Sequence, residues 1–100
     1  MIITQNNKTE MYMLLTDDGF SIKESKNYDD VWAYAAKHFP QCMNCGMVTD
    51  DFSDLYQEDN RSYITKNQLI DECLNTDSHL SISEYIESRL IENGGNIKKI

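Results

Sequence analysis

Between Thr49 and Arg61 the chain carries Asp50, Asp51, Asp54, Glu58 and Asp59 with no lysine or arginine among them. Carboxylates gathered this densely can hold a cation or imitate a polyanion. If Thr49 caps a short helix here, a turn of ~100° per residue puts Asp50, Asp51, Asp54 and Glu58 on one arc of about 100°. Phe52, Leu55 and Tyr56 then fall on the opposite side, available to a core. Like charges at i,i+4, as in Asp50/Asp54 and Asp54/Glu58, cost about 0.2–0.5 kcal/mol each. A surface that serves solubility alone usually mixes both signs. Five carboxylates over ~14 Å of helix give one per ~3 Å, close to the ~3.4 Å phosphate spacing along one DNA strand. The expectation is a carboxylate face that occupies a basic channel shaped for nucleic acid. Tyr56 and Tyr63 flank it, and because tyrosine is enriched at interface hot spots, at least one should be partly exposed beside the carboxylates. Asp29 and Asp30 join the candidate contact set, although both also suit the first turn of a helix.

The second spacing that suggests chemistry is His38-x3-Cys42-x2-Cys45-Gly46. A Cys-x2-Cys turn followed by glycine can aim two thiolates at one zinc ion, and a tetrahedral site needs two more ligands. Cys73, His38 and His79 are the candidates, with Cys42, Cys45, Cys73 and His38 as the preferred set. The plainer reading makes Cys73 a core residue and Cys42 and Cys45 ordinary loop thiols. A thioredoxin-like centre would open a helix after a strand, whereas this pair follows a helix and Pro40. The pattern of an Asp-x-Asp-x-Asp-Gly calcium loop is absent. The four glycines, Gly19, Gly46, Gly94 and Gly95, form no phosphate-cradling loop. No arrangement of residues points to an enzyme.

Seventeen acids against nine bases leave a formal charge of −8 on 100 residues. That balance argues against direct binding to nucleic acid or an anionic membrane, whose phosphates repel it. It favours basic proteins and the basic grooves of proteins that themselves handle nucleic acid. No apolar run approaches the ~18 residues that span a bilayer, and the first residues lack the features of a signal peptide. A cytoplasmic location follows as the default, that of a host cell if the chain is phage-encoded. Three cysteines in a reducing compartment do not suggest disulfides. Monomer and small homo-oligomer both remain open.

Residues 11 to 24 read as a hairpin, with Met11, Met13 and Leu15 alternating against Tyr12, Leu14 and Thr16, and Asp18-Gly19 as a two-residue turn. Asn27 caps a helix in which Val31, Trp32, Ala35, Ala36 and Phe39 recur at helical spacing, and Pro40 stops it. Residues 45 to 49 suggest a further strand. Thr65-Lys66-Asn67-Gln68 and Ser81-Ile82-Ser83-Glu84 fit the capping box. They open helices carrying Leu69, Ile70, Cys73 and Leu74, then Ile82, Tyr85, Ile86 and Leu90, with Gly94-Gly95 as the close. Residues 97 to 100 form an edge strand or a tail. The fold class expected is α+β in a single domain over residues 1–100. A small antiparallel sheet of two to four strands packs against three or four short helices, a ββα unit followed by a helical half.

In size, charge and lack of a catalytic motif the chain resembles the small acidic inhibitors that phages use against restriction enzymes and CRISPR effectors. That resemblance covers no aligned residues. It implies a non-catalytic inhibitor or regulator that binds the basic surface of a nucleic-acid-handling protein through a nucleic-acid-mimicking carboxylate face. Two alternatives stand beside it: a zinc-stabilised interaction module built on Cys42 and Cys45, and an accessory structural protein whose charge keeps it in solution.

Overall fold

The computed structural model describes residues 1–58, 62–77 and 79–100. Its class is α+β, as the sequence suggests. Strands β1 (Ile2–Asn6), β2 (Met11–Leu15) and β3 (Ser21–Ser25) are antiparallel neighbours, and β4 (Thr49–Asp50) joins β1 in parallel, giving the order β3-β2-β1-β4. A second sheet places β5 (Leu55–Glu58) between β6 (Ser62–Thr65) and β7 (Ile97–Lys99), antiparallel to both. The helices are α1 (Tyr28–His38), α2 (Pro40–Asn44), α3 (Lys66–Asn75) and α4 (Ile82–Arg89), the last followed by a 3-10 turn at Ile91–Asn93.

The layers follow from alternation along the strands. Side chains of a strand point to opposite faces in turn, and β2 is apolar on both. Tyr12 and Leu14 face α1, where Leu14 meets Ile3, Val31, Ala35 and Val48. Met13 and Leu15 face the other way and pack on Leu55, with Tyr63 and Ile100 at the margin. A third cluster, Tyr56, Leu69, Ile86 and Ile97, lies between the second sheet and α3 and α4. The order through the molecule is therefore helix, sheet, sheet, helix. Full burial of each such aliphatic side chain contributes roughly 1.5–3 kcal/mol.

Local chemistry sets the element ends. The Asn27 side chain accepts from the Asp29 amide at 3.0 Å and opens α1. Pro40 does end α1, but it also stands at the first position of α2, where its missing N–H costs nothing. Cys42 lies within α2 and is not a loop thiol, whereas Cys45 caps the C-terminus of that helix at the start of an exposed turn. The Thr65 capping box is complete: the Gln68 amide donates to Thr65 Oγ1 at 3.3 Å and the Thr65 amide to Gln68 Oε1 at 2.9 Å. At Ser81 the hydroxyl accepts from the Glu84 amide and itself donates to the Glu84 carboxylate, so only the forward half of that box forms. Of residues 97 to 100, Ile97–Lys99 form an edge strand, with Ile97 fully buried.

The 11-to-24 hairpin is present with a longer turn than expected. Thr16 donates to the Phe20 carbonyl and Gly19 to the Thr16 carbonyl, so Asp17, Asp18 and Gly19 all lie in the connection. Gly19 has φ +88°, and its carbonyl accepts from the Tyr63 amide at 2.9 Å. The turn thereby touches β6 and ties the two sheets. A side chain at Gly19 would be forced into the left-handed region, and its Cβ would fall against the Tyr63 backbone carbonyl. Gly19→Ala is expected to destabilise the fold by about 1–3 kcal/mol, read as a lower urea midpoint. An unchanged midpoint would show that this junction is not formed.

Candidate functional site

The segment expected to be an acidic helix is extended instead. Asp50 ends β4, and Leu55 to Glu58 form the central strand of the second sheet. Leu55 is buried toward the first sheet and Tyr56 toward α3 and α4, a two-faced pattern that a helical projection of so short a stretch also accommodates. The carboxylates consequently do not share one arc. Asp54 approaches Lys99 at 3.7 Å, and Glu58 pairs with Arg89 at 2.6 Å. Asp59 lies outside the described residues. Tyr56 is buried in the third core rather than partly exposed, although the Asp54 charge reaches its phenol and, after burial, helps to raise it. Tyr63 is half-buried and lines a cleft of about 260 Å³ with Lys8, Lys98 and Lys99, so its surroundings there are basic.

Asp51 serves the fold. Its carboxylate accepts from the Ser53 amide at 3.1 Å, the Ser53 hydroxyl at 2.6 Å, the Asn67 amide group at 3.1 Å and the Thr65 hydroxyl at 2.5 Å. These bonds hold the β4–β5 loop against the start of α3, where the helix dipole also favours a negative charge. Burial alone would raise the Asp51 carboxyl pKa, but the bonds from Ser53, Thr65 and Asn67 outweigh it and leave the group below its ordinary value.

Arg89, at the end of α4, donates to Glu72 on α3, to Glu58 on β5 at 2.6 Å and to Asn96 at 2.9 Å. Burial would lower its pKa, yet the bonds to Glu72 and Tyr85 and the two carboxylate charges raise it. Glu58 is thus a structural partner.

The cysteine set does not assemble. Cys42 packs at the edge of the core beneath α1 and α2, Cys45 is exposed, and Cys73 is buried on α3 in the other half of the molecule. His38 lies against the Tyr34 ring, 4.2 Å between centroids, and His79 is exposed. Among the described residues no three His, Cys, Asp or Glu side chains converge on a position for a metal ion.

What the structure does bring together is an aromatic face that the sequence pattern does not announce. Tyr28 and Trp32 lie one helical turn apart on α1 and stack at 6.4 Å with 20° between planes. Tyr12, on β2, meets the Tyr28 ring edge-on at 5.5 Å, and Phe52, from the β4–β5 loop, lies 6.1 Å from both tyrosines. Trp32 remains 41% exposed and Phe52 52%, so the outer rings present apolar surface to solvent. The Tyr28 hydroxyl donates to the Asp50 carboxylate, 2.8 Å from each oxygen. Burial, that hydrogen bond and the nearby charges of Asp50 and Asp29 push the Tyr28 phenol up to about 12. Of the acids picked out from sequence, Asp50 and Asp29 therefore border this face, whereas Asp30 accepts from the Ser25 hydroxyl. The helical spacing of Trp32 suggested core. The i,i+4 pair Tyr28/Trp32 beside an aspartate was the signal that could have marked the face.

The fold and face define a small α+β protein with an aromatic and acidic surface. Comparison with protein-family models, curated proteins and solved structures finds no match.

Two outcomes follow for the groups held inside. Arg89→Met leaves Glu58 and Glu72 facing each other, and because both are about a third exposed the expected loss of stability is about 1–3 kcal/mol, measured by urea unfolding; no loss would contradict the triad. For Asp51 the folded pKa lies below the unfolded one. Its contribution is therefore present above ~pH 4, where an unfolded aspartate ionises, and is lost as pH falls through the folded value. Asp51→Asn should be less stable than wild type at neutral pH, with the two unfolding midpoints converging in acid; parallel pH profiles would contradict this.

Proposed function

We propose that the protein is a non-catalytic acidic binding protein that engages the basic surface of a partner protein through the face built by Tyr28, Trp32, Phe52 and Asp50. The observation that carries this reading is an open cluster of interlocked rings bordered by carboxylates. Tryptophan and tyrosine in such clusters are the residues that most often carry binding energy at protein interfaces. Asp50 and Asp29 have no lysine or arginine partner among the described residues. The net charge of −8 adds long-range attraction for a cationic partner and repels nucleic acid itself. Basic surfaces of the kind that such a charge attracts are characteristic of proteins that hold nucleic-acid backbones. In its specific form the proposal is an inhibitor or regulator of such a protein, of the kind that phages direct against restriction enzymes and CRISPR effectors. The support for that form is the charge and the acidic aromatic face, not a stripe of carboxylates along residues 50 to 58.

Affinity capture from the native host tests it, with wild type and a Trp32→Ala/Asp50→Asn double variant as baits. Wild type should retain a basic nucleic-acid-handling protein that elutes with salt or with added DNA, and the double variant should lose it. Equal capture by both baits, or capture of a partner insensitive to salt and DNA, would contradict the proposal.

A further inference from the structure

The acidic aromatic face has a chemistry more specific than general attraction for positive charge. Three observations bear on it. The outermost rings, Trp32 and Phe52, offer exposed π-surface, and the negative face of an aromatic ring attracts a cation placed over it. The Asp50 carboxylate, joined to those rings through Tyr28, accepts from the Tyr28 hydroxyl, which leaves lone pairs on both oxygens for further donors. A phenol is protonated at physiological pH, so the Tyr28 hydroxyl remains a donor and keeps the carboxylate fixed in direction. The Asp29 charge acts on the same phenol, so a cation here meets two negative groups and an aromatic surface at once.

We infer that this face is an arginine-binding site, in which the guanidinium of a partner protein stacks on the Trp32 or Phe52 ring and donates to the Asp50 carboxylate. A guanidinium is planar, stacks on rings and presents paired N–H groups that match the two oxygens of a carboxylate. A lysine ammonium is a compact, strongly hydrated point charge, and it satisfies the carboxylate without covering the rings. The inference deepens the proposed function and rests on it.

Trp32 is the chain's one tryptophan, so its emission reports on the face directly. The test titrates the protein at low salt with a short neutral peptide bearing two arginines and with the same peptide bearing two lysines. The arginine peptide should shift or quench Trp32 emission saturably and bind at least about fivefold more tightly than its lysine counterpart. Asp50→Asn should abolish that difference, while Asp71→Asn on α3 should leave it intact. Equal affinities with no change in emission would overturn the arginine site and leave a merely electrostatic binding protein. No binding of either peptide at low salt would overturn both the site and the reading beneath it. A wild-type preference for arginine that persists in Asp50→Asn would also overturn the site as described.

Discussion

The Arg89 guanidinium is the contact on which the C-terminal half depends. It sits at the end of α4 and reaches Glu58 on β5, Glu72 on α3 and Asn96 ahead of β7. In a chain with nine bases and seventeen acids, a cation with two carboxylate partners relieves more repulsion than one pairing a single acid. The geometry also fixes the second sheet. Glu58 lies opposite Ile97 in the β5–β7 register, so the group that anchors α4 also holds the strand that completes the sheet beneath it. The apolar cluster of Tyr56, Leu69, Ile86 and Ile97 then closes beneath that polar clasp.

A second economy of charge operates at the β4–β5 loop. Asp51 turns inward to Ser53, Thr65 and Asn67, while Asp50, one residue earlier, turns outward to Tyr28. Alternation along an extended backbone forces adjacent residues to opposite sides, and the two aspartates divide accordingly. One fixes the loop that carries Phe52, and the other borders the face that Phe52 helps to form. The aromatic face therefore rests on both: α1 contributes Tyr28 and Trp32, β2 contributes Tyr12, and the Asp51 knot holds Phe52 near them.

Local signals were readable from the sequence, and signals that depend on the third dimension were not. Asn27 and the Thr65–Gln68 box announce their helices because a cap is satisfied within a few residues. The hairpin over 11 to 24 is legible from alternation around Asp18-Gly19, although its turn takes an extra residue so that Gly19 can reach Tyr63. β1 escapes notice because Thr4 and Asn6, both polar, are buried in it. β5 is mistaken for a helix because Leu55 and Tyr56, adjacent in sequence, are buried on opposite faces, which a helix with one buried side would also bring near one another in projection. The candidate site suffers from the same ambiguity. Density of carboxylates is visible in the sequence, but their direction is set by pairing with Arg89, Lys99, Thr65 and Tyr28, the most distant being Lys99, 45 positions from Asp54 (99 − 54). Asp29 and Asp50 stand out in the sequence, whereas the spacing of Trp32 and Phe52 points to the core side of their segments.

The central claim is a division of labour: neighbouring acids of residues 50 to 58 hold the fold or face a partner, not both. It is tested most directly by comparing the affinity of folded Asp50→Asn, Asp51→Asn and Glu58→Gln for one basic ligand, at a temperature where all three variants are fully native. The predicted result is that Asp50→Asn weakens binding substantially, Glu58→Gln binds as wild type does, and Asp51→Asn, which only slackens the loop that carries Phe52, loses much less than Asp50→Asn. A uniform loss across the three would contradict it, because equal losses are what a continuous, outward-facing row of carboxylates would give.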